Sequence, residues 1–136
     1  MTAPGLFVYG SLRRDVPGGR QDLLAAVAEF RGHGRVRGRL LDLGDYPGLV
    51  ATVRRDEWVR GELYTLPGPN ALQALDRYED YDAARPERSL FVRRMTTVRL
   101  DAGARARAWV YEYAGPSGRA RRIPSGDYVD VRGAAG

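Results

Sequence analysis

Two stretches of this 136-residue chain hold residues whose types and spacing could do chemistry. The first is FVYGSL, residues 7–12, an apolar run that breaks at Gly10 and Ser11. Phe7 and Val8 favour a strand, Gly10 tolerates backbone angles that a side chain forbids, and Ser11 suits a cap or turn. A strand ending in such a turn can aim successive backbone N–H groups at one point and hold an anion there. The second is ALQALDRYE, on a helix expected over residues 70–79. At about 100° per residue, Ala71, Leu72, Ala74, Leu75 and Tyr78 share one arc and Glu79 falls inside it. Asp76, Arg77 and Asp80 project outside that arc or at its margin. A carboxylate turned toward an apolar side costs folding energy unless it is paired or neutral. Desolvation there would raise its pKa toward neutrality, the range a general acid/base needs. The competing reading ends the helix by Tyr78 and leaves Glu79 in solvent or paired with an arginine.

The composition removes other chemistries. There is no cysteine, hence no disulfide, thiolate metal site or cysteine nucleophile. All 22 basic residues are arginine, so no lysine is available for a Schiff base or a P-loop. One histidine, His33, leaves no histidine-rich metal cage, and nothing near it completes a triad; it reads as a turn or surface residue. The net charge of +5 invites a nucleic-acid reading. The arginines are scattered, however, and Arg35, Arg37 and Arg39 alternate with other residues as on the wet face of a strand. No RNP-type, zinc-finger or basic-zipper pattern accompanies them. Arg88, Arg93 and Arg94 could meet a substrate carboxylate, but arginines on strands are usually solvated. Neither a signal peptide nor an apolar run of transmembrane length is seen. The expectation is one soluble, cytoplasmic domain over residues 1–136, with its core at about 6–128 and residues 129–136 a flexible tail.

The elements that must position the two stretches follow from hydrophobic periodicity. Residues 13–20 form a loop by their proline and glycines, and residues 21–30 read as a first helix closed by Gly32 and Gly34. GHGRVRG is not a dinucleotide fingerprint, because its third glycine falls one place late and a strand pattern follows it. Strands are expected over residues 36–43, after the Tyr-Pro-Gly turn in 44–50, over 58–66, over 91–100 and over 107–113. DAGAR, residues 101–105, suits a hairpin loop, and Trp109 and Tyr111 share one sheet face. Five or six strands with two main helices indicate an α+β fold with a mainly antiparallel sheet.

FVYGSL, YPGLV, V-x-GELY-x-L before LDRYEDYD, and AWVYEY occur here in that order. Together they resemble the gamma-glutamylcyclotransferase-like family, including its AIG2-like and gamma-glutamylamine cyclotransferase branches. The resemblance runs from about Leu6 to Tyr113 and continues through RIPSGDY. It implies a small mixed α/β barrel. It further implies that Tyr9, Gly10, Ser11 and Leu12 grip the α-carboxylate of a gamma-glutamyl group, that Glu79 is the catalytic acid/base, and that Tyr113 is a pocket tyrosine. Tyr111 competes for that last role on the same strand face. Many members carry glycine where this chain has Asp80, which adds a second carboxylate beside Glu79.

The implied reaction is release of 5-oxoproline and a free amine from a gamma-glutamyl amine or amide. It needs no metal or cofactor, and its partner is a small molecule rather than nucleic acid or membrane. Two alternatives stand beside it. One is a non-catalytic small-ligand binding module on the same fold, since fold does not fix function. The other is a cyclotransferase that removes a gamma-glutamyl protecting group in a biosynthetic pathway.

Overall fold

β-Branched and aromatic residues at alternate positions drive most of the chain into paired strands. The structure, a computed structural model, describes residues 5–10, 12–13, 28–44, 46–78, 84–85, 89–116, 118 and 120–129. In chain order the elements are β1 (Gly5–Val8), β2 (Glu29–Arg37), β3 (Arg39–Asp42), β4 (Pro47–Val50), β5 (Trp58–Thr65), α1 (Pro69–Tyr78), β6 (Phe91–Leu100), β7 (Arg105–Tyr113) and β8 (Arg121–Arg122). The sheet runs β1-β5-β2-β6-β7-β4-β3-β8, and β1 also pairs with β7. Five strands, β1, β5, β2, β6 and β7, therefore close into a barrel, and β4, β3 and β8 extend from it. The sheet is mainly antiparallel; β7 runs parallel to β1 on one stretch and to β4 on the next.

Alternation sorts the side chains into two cores. Phe7, Val59, Val36, Val98 and Val110, one from each barrel strand, meet in the interior with Tyr128 and Ile123. On the outer face Leu6, Val8, Tyr64, Phe91 and Tyr111 pack with Leu75 of α1. Gly61 shows how tightly β1 lies on β5: a Cβ there would fall 2.2 Å from the Val8 carbonyl oxygen.

The expected α+β barrel is the one found, but five or six strands were expected and the described sheet has eight. Two helices were expected, and the described residues contain one, α1. Of the expected helix at 21–30, residues 21–27 lie outside the described residues. Glu29 and Phe30 belong to β2, paired with Thr65 and Tyr64 of β5. At Phe30 helical spacing was outweighed by pairing: its ring packs edge-on against Tyr64, centroids 5.6 Å apart. Gly32 and Gly34 consequently sit within a strand rather than after a helix. Of the expected tail at 129–136, residues 130–136 also lie outside the described residues; Val129 packs against the core, and Tyr128 is 1% exposed and part of it. No helix among the described residues is long and apolar enough to cross a membrane.

Candidate active site

β1 ends at Val8, and the chain turns at once: the Arg13 N–H donates to the Gly10 carbonyl at 3.0 Å. Gly10 is required there for room. It does not adopt a positive φ; instead, a Cβ would lie 2.9 Å from Cγ of Pro47. Arg13, itself buried, anchors the far side of the turn through a part-buried ion pair with Asp127 at 2.9 Å. The turn borders a cavity of about 40 Å³ lined by Val8, Tyr9, Gly10 and Leu12, with Tyr46, Pro47, Phe91 and Tyr111 opposite.

Tyr9 serves this turn as a brace. Its hydroxyl donates to the Tyr111 carbonyl at 2.5 Å and accepts the Leu49 N–H at 3.1 Å. β7 changes neighbours at this point: Trp109 pairs with Leu6 of β1, and Glu112 pairs with Leu49 of β4. Buried backbone groups at such a changeover need partners, and the phenol supplies both. Leu12 is buried in the outer core. Ser11 and Glu79 lie outside the described residues.

The helix that leads to Glu79 is nevertheless fixed against the cavity wall. The Tyr111 hydroxyl donates to Oδ1 of Asp76 at 2.5 Å, and Nε of Arg93 lies 3.3 Å from the same oxygen. The Arg93 guanidinium also covers Trp109, 4.8 Å from the ring centre. Arg93 is thus a structural partner of α1. The helical arc expected from periodicity needs amendment: Asp76 is buried and Ala74 is exposed. The ion pair and tyrosine hydrogen bond turn α1 so that a polar residue faces inward.

Of the two tyrosines that the sequence left in competition, Tyr111 lines the cavity. Tyr113 lies on an adjoining groove of about 600 Å³ with Asp42, Leu43, Tyr46 and Pro116. Its hydroxyl donates to the Pro116 carbonyl at 2.8 Å. Tyr46 borders both spaces, and Phe91 lies edge-on to both Tyr46 and Tyr113.

Several residues of this region escaped the sequence reading. Tyr46 and Pro47 were read as a turn, although YPGLV was itself a recognised motif. Asp76 and Asp127 carried no local signal, because their partners are far away in the chain. Glu62 is fully buried and accepts a hydrogen bond from the Tyr64 hydroxyl at 2.8 Å. Its signal was available, as a carboxylate within the apolar run GELY. His33 is a surface residue, as one of the two expected readings had it, but on β2 rather than in a turn, 4.0 Å from the second Glu62 oxygen. Among the described residues no group of three or more histidine, cysteine, aspartate or glutamate side chains could hold a metal ion.

Residues 6–130 match the family model described as gamma-glutamyl cyclotransferase, AIG2-like. The chain belongs to this family. The AIG2-like barrel recurs in solved structures. An AIG2-like protein from Mus musculus matches at TM-score 0.69 and 24% identity, over 87% of this chain and 82% of that one. A gamma-glutamyl cyclotransferase matches at TM-score 0.63 and 17% identity, over 88% and 69%. YkqA from Bacillus subtilis matches at TM-score 0.69 and 24% identity over 91% of this chain; the match spans 39% of YkqA, a longer protein. No curated protein sequence matches this chain significantly.

Proposed function

We propose that this AIG2-like protein is a gamma-glutamyl cyclotransferase that acts on a gamma-glutamyl amine or amide and releases 5-oxoproline and the free amine. The observation that carries the reading is the junction at Tyr111. It lines the cavity beside the Tyr9–Gly10 turn and holds Asp76, three residues before Glu79 in the chain. The turn and the helix that precedes the candidate acid in the chain are thereby tied to one strand.

The chemistry needs few parts. The turn at residues 9–12, with its backbone N–H donors, would hold the substrate α-carboxylate. Glu79 would take a proton from the α-ammonium, and the freed amine would attack the γ-carbonyl carbon. A new C–N bond closes the five-membered lactam, and the old amide C–N bond breaks. Glu79 would then return its proton to the departing amine, and the second proton lost by the attacking nitrogen as it becomes the lactam N–H would follow by the same route, so the amine leaves as an ammonium ion. No water is consumed, and no serine or cysteine nucleophile is needed, because nucleophile and electrophile share one molecule. Holding the folded-back conformer could contribute on the order of several kcal/mol, as in other ring closures. Tyr113 and Tyr46, on the adjoining groove, would contact the amine side.

The test is 5-oxoproline release, followed by mass spectrometry, across a panel of gamma-glutamyl amines and dipeptides. Glu79→Gln should fold normally and lose roughly 10²–10⁴-fold in turnover, the usual worth of a positioned acid/base. A variant with near-parental turnover rejects Glu79 as the acid/base. A parent protein that binds panel members without converting any would favour the binding-module alternative.

A further inference from the structure

On the barrel wall away from the cavity, register places four arginines in one line. Arg60 of β5 is the direct partner of Arg35 of β2, Arg35 is the partner of Arg99 of β6, and Arg99 is the partner of Arg105 of β7. Direct partners project to the same face, so the four guanidinium groups stem from one level of the sheet. At a strand spacing of about 4.8 Å the row spans roughly 14 Å. Like charges directly opposite destabilise a sheet, and here three such pairs stand in succession. Charge compensation along the row centres on Asp101, whose carboxylate also feels Arg35. Arg60 makes a two-pronged ion pair with Asp101 at 2.8 and 2.9 Å. Among the described residues, no carboxylate forms a salt bridge with Arg35, Arg99 or Arg105.

The same face holds Trp58, the partner of Arg37. The guanidinium carbons of Arg35, Arg37 and Arg99 lie 4.4, 4.6 and 5.4 Å from its ring centre. Stacking on the ring holds these long side chains in place, which lowers the entropy lost when they grip a ligand. A cavity of about 490 Å³ is lined by Arg35, Arg60, Arg99, Asp101 and Arg105. A second, of about 240 Å³, shares Arg35 and Arg60 and adds Trp58.

We infer that this arginine row is a binding track for a chain of linked phosphates, either inorganic or as the tail of a nucleotide. The spacing selects among anions. An extended acidic peptide brings carboxylates to one face only every second residue, about 6.8 Å apart, which falls out of step with the row. Linked phosphates lie closer than one strand spacing, so each guanidinium meets an oxygen whatever the offset. The planar fork of arginine suits such oxygens two at a time. Single-stranded nucleic acid is less favoured, because base stacking wants an open aromatic face and the Trp58 ring is already contacted by guanidinium groups.

Calorimetric titration of the full chain at low salt tests the inference, with tripolyphosphate, a nucleoside triphosphate, orthophosphate and a single-stranded oligonucleotide as probes. Tripolyphosphate should bind at least about tenfold more tightly than orthophosphate and raise Tm. Arg35→Gln with Arg99→Gln should weaken it by roughly 10- to 100-fold, counting about tenfold for each charged contact. The same double variant should fold and melt within a few degrees of the parent in the absence of ligand, since relief of the like-charge pairs offsets the lost stacking on Trp58. A nucleoside triphosphate that outcompetes tripolyphosphate assigns the track to nucleotides; equal affinity assigns it to the phosphate chain alone. The inference is overturned if tripolyphosphate binds no better than orthophosphate or if the double variant binds it unchanged. Tighter binding of the oligonucleotide through the same arginines would also overturn it.

Discussion

Tyr9→Phe separates a brace from a substrate contact, because it deletes one oxygen and leaves the ring. In the parent that oxygen serves the Tyr111 carbonyl and the Leu49 N–H. Without it two buried backbone groups lose a partner, at about 1–3 kcal/mol each. Water can reduce the loss: Tyr9 borders the cavity of about 40 Å³, room enough for a water to reach one orphaned group. The expected cost is therefore about 2–4 kcal/mol rather than the full sum. For a domain of this size about 3–5 °C of melting temperature follows each kcal/mol, so Tm should fall by roughly 10 °C. Urea unfolding should show the midpoint moving with the slope unchanged. At a temperature where the variant is fully folded, KM should stay within about threefold of the parent, because the proposed substrate contacts at this position are backbone ones. A Tm within a degree of the parent, or an unshifted Tm with a sharply raised KM, would refute the brace and make the phenol a direct substrate group.

Other perturbations probe the remaining supports. Asp76→Ala removes the acceptor of the Tyr111 hydroxyl and the partner of Arg93, and should cost about 3 kcal/mol in urea unfolding. It should also lower kcat in the 5-oxoproline assay by loosening α1, whereas Asp76→Asn, which keeps an acceptor, should recover part of both. Glu57 is buried on β3's side of the barrel, where hydrogen bonds from Arg39 and Thr52 hold its pKa down to about 2 against an ordinary 4.5. A lowered acid contributes stability that is present above its unfolded pKa and lost as pH falls through the folded one. The Tm advantage of the parent over Glu57→Gln should therefore be full above about pH 4.5 and vanish toward pH 2. Glu112 behaves oppositely: burial raises its pKa, and Arg94, 3.4 Å away, opposes this only in part. Its contribution is complete at low pH and falls away as the carboxyl ionises, so Glu112→Gln should raise Tm at pH 7 and lose that gain near pH 4. A variant that melts lower than the parent at pH 7 would mean that the Arg94 pair outweighs burial.

What the sequence made legible, and what it hid, divides along one physical line. Periodicity is local, so β6 at Phe91–Leu100 was read to the residue, whereas β1, expected from Phe7, begins two residues earlier at Gly5. Phe30 was misread because helical and strand spacing agree over so few residues, and its partner Tyr64 lies on another strand. The role of Gly10 was located but misexplained: the chain needs a missing side chain there, against Pro47, rather than an unusual angle. Asp76 was placed at the margin of the helix because hydrophobicity is counted residue by residue, whereas its burial depends on Tyr111 and Arg93, which no count over α1 contains. The arginines show the same limit most sharply. Alternation correctly put Arg35 and Arg37 on the outer face, and from one strand alone an outer arginine is a solvated arginine. Closure of the barrel sets Arg60, Arg99 and Arg105 beside it at the same level, and a row of four like charges is a different physical object from four scattered ones. Topology creates that row, so its consequence could be reasoned about only after the strands had been paired.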